Sequence, residues 1–172
     1  MSEPIQNQVF TGNVRGVALA AIVEAQRHGL SIVEAEHIML ALAGDRHSAV
    51  GRFLEEHGLD HAAWMNALRV ERERSLQAVG VTPRDAKDLA ATRIQRPRWG
   101  ASARSAFERA QKISTRHRGH HRMNGFDLLY GILGLELGTV PRALAFAGID
   151  RKQLLADVAA HAGMGDAAGL IA

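Results

Sequence analysis

Glu36 and His37 stand side by side at the head of the apolar run VEAEHIMLAL, residues 33–42. A carboxylate there can accept paired hydrogen bonds from a planar N–H fork, and it can equally support a helix N-terminus through the macrodipole. No second catalytic partner is spaced to meet His37, so it reads as a packed or capping histidine. His117, His120 and His121 lie within the string RHRGHHRMN, and clustered imidazoles suit zinc, copper or nickel. No carboxylate or thiolate stands nearby and arginines crowd the string, so a solvated loop is the better reading and no metal site is expected. The chain has no cysteine, which excludes disulfides, thiolate metal sites and cysteine nucleophiles. Nor does it hold a GxxxxGK[ST] phosphate cradle. Scattered Ser, His and Asp residues form neither a nucleophile–base pair nor a paired-carboxylate site, so a non-enzymatic protein without cofactor is expected.

The positive charge is unevenly distributed over the 172 residues. Residues 1–68 hold 4 basic and 8 acidic groups, residues 69–123 hold 14 and 5, and residues 124–172 hold 3 and 5. The net charge of +3 is therefore the sum of −4, +9 and −2. The basic middle contains TRIQRPRW, and Arg93, Arg96 and Arg98 with Trp99 could make non-specific phosphate contacts. No recognition-helix motif accompanies them, so nucleic acid is the alternative partner and not the first. Runs of about 20 apolar residues are absent and Met1 to Phe10 lacks a signal-peptide pattern, so no membrane association and a cytoplasmic location are expected.

The elements that would position Glu36 are helical. Val14, Val17, Ala18, Ala21, Ile22 and Ala25 recur with the spacing of one helix face, leaving Arg15, Glu24 and Arg27 outside it. Ser31 and Glu34 offer a capping-box pattern before a short, deeply buried helix. In FLEEHGLD, Gly58 suits a left-handed helix end, Leu59 the apolar residue after it, and Asp60 the N-cap of a fourth helix faced by Trp64, Ala67 and Leu68. The order then recurs. Gly44, Val50, Leu54, Gly58 and Asp60 match Gly134, Val140, Leu144, Gly148 and Asp150 at a constant offset of 90. Ala103, Ala106, Phe107, Ala110 and Ile113 give the first helix of the second unit, and Asn124 caps FDLLYGIL. The expected class is all-α, with two pseudo-symmetric four-helix repeats packed as one domain over residues 8–161. Repeat one spans 10–68, an arginine-rich connector 69–98, and repeat two 99–161, followed by a small, glycine-rich tail at 162–172 that is expected to fray.

These residues carry a resemblance. FTGNVRGVALAAIVEA at 10–25, VEAEHIMLAL and the GLD and GID corners resemble the double Clp N-terminal domain of the ClpC, ClpA and ClpB-type AAA+ unfoldases. The second unit departs from that pattern, with Phe126-Asp127 where the family has Glu-His and Gly100-Ala101 where it has a Thr-led helix start. The resemblance implies a copy without ATPase modules that binds peptides or proteins in Clp-dependent proteolysis. Its partners would be Clp unfoldase components, adaptors or substrate proteins, and its role that of adaptor or decoy. Carried over from the ClpC-type branch, it also implies a phosphoarginine site at Phe10, Thr11 and Glu36; apart from the resemblance, Trp99 is expected to face that groove across the pseudo-axis.

Overall fold

The computed structural model describes residues 14–81, 97–118 and 122–164, in which eight helices and one two-stranded parallel pair form. Helix α1 is Val14–Arg27, α2 Ala35–Gly44, α3 Ala49–Glu56 and α4 His61–Ala78; then come α5 Ala101–Arg118, α6 Gly125–Leu133, α7 Thr139–Phe146 and α8 Arg151–His161. The all-α expectation holds for this mostly helical chain. Strands β1, Ile32–Val33, and β2, Arg98–Trp99, are an addition that two-residue lengths made invisible to any periodicity. Phe10, Thr11, Arg93, Arg96, His120, His121 and residues 165–172 lie outside the described residues.

The corners at 58–60 and 148–150 are built alike. Gly58 and Gly148 have φ of 71° and 73°, where only glycine turns without a Cβ penalty. Leu59 N–H reaches back to Leu54 O at 2.8 Å, and Ile149 N–H to Leu144 O at 2.9 Å, each closing the carbonyl of a finished helix. Asp60 then accepts from Ala63 N–H, and Asp150 from Lys152 and Gln153 N–H, opening the next helix. The fourth and eighth helices therefore leave their predecessors at a fixed chain direction.

Helices α2 and α6 sit at the centre of one continuous core and bury residues on every side, among them Ile38, Met39 and Leu40, and Leu128, Leu129 and Ile132. Helix α2 meets α1, α3, α4, α5, α6 and α7, which is why its sequence is apolar all round and not along a stripe. Helix α6 runs closest to α5, whose Ala103, Ala106 and Ala110 are fully buried and leave room for a second backbone.

Three local expectations are corrected. Glu24, expected outside the buried face of α1, is buried because His61 on α4 and Arg27 both meet its carboxylate, at 3.3 and 3.1 Å. Burial alone would raise its pKa; the hydrogen bond from His61 and the charges of His61, Arg27 and His28 outweigh that and hold it below the ordinary value. Ser31 does not cap α2: the N-cap is Glu34, and the Ser31 carbonyl instead accepts from Arg98 N–H at 2.9 Å in the strand pair. The tail does not fray from residue 162. Gly163 adopts a φ of 68°, Met164 N–H returns to Ala159 O at 2.7 Å, and the Met164 side chain is buried. The arginine-rich connector begins as a continuation of α4, which runs unbroken to Ala78.

Candidate functional site

Glu36 lies in the first turn of α2, and that turn is fixed from both sides. Within the helix start, Glu34 N–H donates to His37 Nδ1 at 3.0 Å, so the buried imidazole is an acceptor at Nδ1 and neutral. Burial, then the nearby His28, lowers the His37 pKa in agreement with that role. Capping, one of the two roles expected for His37, is what it performs.

Across the chain, the strand pair aligns Val33 with Trp99, and Gly100 N–H donates to Val33 O at 2.8 Å. One step further, Ser102 N–H and Ser102 Oγ both donate to Glu34 Oε2, at 3.0 and 2.5 Å, while Ser102 Oγ accepts from Ala35 N–H at 2.9 Å. The side chain at the start of α2 thus satisfies a free amide of α5, and the hydroxyl at the start of α5 satisfies a free amide of α2. A Cβ at Gly100 would fall on the Glu34 carboxylate and push it out of this latch. Trp99 is carried to the same end of the molecule, half-buried, with its ring edge-on to Phe107 at 5.4 Å.

Behind Glu36 stand α4 and α7. The Glu36 carbonyl accepts from Trp64 Nε1–H at 3.2 Å, and Trp64 is fully buried. Glu71, buried on α4, accepts from Arg142 Nε on α7 and from Ser75 Oγ, both at 2.8 Å. Glu71 and Arg142 lie close enough to influence Glu36, with opposite signs. Burial pushes the Glu36 carboxyl up to about 7; its own backbone N–H opposes this, Glu34 and Glu71 reinforce it, and Arg142 opposes it. No side-chain donor among the described residues bonds the Glu36 carboxylate. It is therefore a half-buried acceptor that changes charge near neutrality.

Sequence reasoning placed Glu36 in a site but missed Glu71 and Arg142, whose partnership spans 71 residues with no local spacing to reveal it. The basic residues of α4 are partly committed within the fold. Arg69 pairs with Glu73 at 2.6 Å and Asn66 at 2.8 Å, and Arg74 lies 5.1 Å over the Phe146 ring. Arg98 is exposed. Among the described residues no group of three His, Asp or Glu side chains is gathered to hold a metal, and no helix is long and apolar enough to cross a membrane. No protein-family model matches the chain, and no curated protein matches it.

The raised pKa has a consequence for stability. In the unfolded chain Glu36 ionises near the ordinary glutamate value of 4.5, whereas folded it holds its proton to about 7. Between those values the folded state binds the extra proton, so stability falls as pH rises through this window, and the full penalty is present above pH 7. Glu36→Gln removes the penalty. It is expected to raise unfolding free energy at pH 8 by up to about 3 kcal/mol, taking about 1.4 kcal/mol per pKa unit, and to change it little at pH 4.5. Urea unfolding of both proteins at the two pH values checks this; an equal effect at both would mean that ionisation of Glu36 is not what costs stability.

Proposed function

We propose that the protein is a non-enzymatic peptide- or protein-binding module with the double Clp-N architecture, acting in Clp-dependent proteolysis as adaptor or decoy. The single observation that carries the binding site is Glu36: a half-buried carboxylate near the α2–α5 latch, without a side-chain donor among the described residues. Two sets of four helices, with like corners at Gly58 and Gly148, agree with the resemblance read from the sequence.

The ligand proposed for Glu36 is phosphoarginine on a substrate protein. A guanidinium is planar and carries a fork of donors, which suits a single carboxylate better than the point charge of an ammonium does. Arg142, half-exposed and held to Glu71 by Nε, supplies positive charge nearby for the phosphoryl group. Phe10 and Thr11, also expected in the site, belong to the segment preceding α1 and lie outside the described residues. Trp99, held by its register with Val33, offers an aromatic wall on the same end of the fold.

Because a guanidinium needs the ionised carboxylate, its binding releases the proton that Glu36 holds near pH 7. Calorimetric titration with phosphoarginine is expected to give saturable binding that is at least about tenfold weaker in Glu36→Gln, one decade being about 1.4 kcal/mol. Affinity should rise between pH 6 and pH 8 in the wild type and not through Glu36 in the variant. Arginine, lacking the phosphoryl group, should bind more weakly. Unchanged affinity in Glu36→Gln would remove this site, and absence of saturable binding would remove phosphoarginine as the ligand.

A further inference from the structure

At the other end of α2 lies a cavity of about 230 Å³, lined on its apolar side by Val17, Leu42, Val50 and Phe126 and at its rim by Ala49. It is smaller than the roughly 300–1,000 Å³ typical of small-molecule sites, and its size suits one side chain. Asp45 lines it as well, and Asp45 Oδ2 is a buried oxygen with no hydrogen-bond partner, alone in this among the described side-chain atoms. A carboxylate oxygen held away from water without a donor is unfavourable, and most such atoms in proteins are satisfied.

The other polar groups of the lining are already engaged. Ser48 Oγ donates to Asp45 O at 2.8 Å and accepts from Gly51 N–H at 2.9 Å. Asn124 Oδ1 accepts from Phe126 N–H at 2.8 Å and Asp127 N–H at 3.1 Å. A buried, vacant carboxylate oxygen beside apolar walls calls for a ligand with an aliphatic stem and a compact cation at its tip. A planar guanidinium would have to bring its broader fork between the apolar walls, whereas a compact ammonium can use the single buried carboxylate oxygen and turn its remaining donors to water.

We infer that this cavity receives a lysine side chain from a partner polypeptide, its methylenes against Val17, Leu42, Val50 and Phe126 and its ammonium on Asp45. The rim at Ala49 is exposed, so the partner's main chain stays outside while the side chain enters. The site is separate from Glu36: nine residues of α2 at about 1.5 Å each set them roughly 14 Å apart along the helix axis. It stands whether or not phosphoarginine binds at Glu36.

The test is an amide-resolved NMR titration of the full chain with the capped tripeptide acetyl-Gly-Lys-Gly-amide. Saturable shifts are expected at Asp45, Ser48, Val50, Gly125 and Phe126. The norleucine peptide, with the stem and no charge, should bind at least about tenfold more weakly, and the arginine peptide more weakly than the lysine one. Asp45→Asn removes the charge and Ala49→Leu blocks the rim, and each should abolish the shifts; thermal melting shows that each variant is folded. Equal binding of the norleucine peptide, binding that survives Asp45→Asn, or no saturable shift would overturn the inference. So would tenfold tighter binding of 1,5-diaminopentane, which would make the occupant a free amine.

Discussion

Gly131→Ala is expected to destabilise the protein by about 2–4 kcal/mol although alanine is the better helix former. Gly131 sits inside α6, where exchange for alanine would ordinarily gain about 1 kcal/mol of helix propensity. Here an added Cβ would overlap the Ala106 carbonyl oxygen and lie 3.0 Å from the Ala110 nitrogen of α5. Both are helix backbone and cannot swing aside as a side chain would, so α5 and α6 must separate. Moving them apart loosens Ala103, Ala106 and Ala110 together, since all three are fully buried against this close approach. Overpacking of a well-filled core costs typically 1–3 kcal/mol, and more when the obstacle is rigid. Gly134 on the same helix end is the control. A Cβ there meets its nearest neighbour, Tyr130 O, at 3.3 Å and faces the movable Arg109 guanidinium at 3.5 Å, so Gly134→Ala should stay within about 1 kcal/mol of wild type. Urea unfolding midpoints of the two variants decide the matter. Equal, small effects would mean that the α5–α6 seam is looser than this packing.

The contrast between those glycines marks what the sequence could and could not tell. Gly58, Gly148, Asp60 and Asp150 were legible because their roles are local: a positive φ, a returning amide and a side-chain cap all act within a few residues. Ala103, Ala106 and Ala110 were legible as one helix face by their spacing. Gly131 was not, because its requirement comes from a second helix. Similarly, a Ser–x–x–Glu pattern pointed to Ser31 as a cap, but Ser31 is drawn into a strand pair by Arg98, and the hydroxyl that serves α2 comes from Ser102, 67 residues beyond Ala35. Glu24 looked solvent-facing by periodicity and is buried because His61 lies 37 residues away in sequence and 3.3 Å away in space.

The candidate site divides along the same line. Glu36 and His37 could be picked out by residue type and position at a helix start, and the cap made by His37 follows from its local geometry. The charge environment of Glu36 could not, because Glu71 and Arg142 reach it from α4 and α7. The Asp45 cavity was equally hidden. It collects residues from α1, the end of α2, the start of α3 and the start of α6, and its buried vacant oxygen is defined only by what fails to approach it.

Trp64→Ala should produce the other large loss, about 4–6 kcal/mol. Trp64 is the largest side chain with no exposure at all, and removing a buried aromatic leaves a cavity that costs about 3–5 kcal/mol. Its Nε1–H also satisfies the Glu36 carbonyl, so truncation withdraws a donor from the first turn of α2, adding about 1 kcal/mol where water cannot replace it. Trp64→Phe separates the two contributions. It retains most of the ring volume and loses the donor, so it should cost about 1–2 kcal/mol. The geometry makes a further demand. If the indole holds α2 in place under Glu36, the phenylalanine variant should remain folded yet shift the Glu36 titration away from about 7, as followed by carboxyl NMR, because the carboxylate is no longer held at the same depth. A Trp64→Phe protein with an unchanged Glu36 titration would mean that the indole fills space behind the site without positioning it. Loss of less than about 2 kcal/mol in Trp64→Ala would contradict the packing itself, because no relaxed core of this density closes over an indole-sized void at so small a cost.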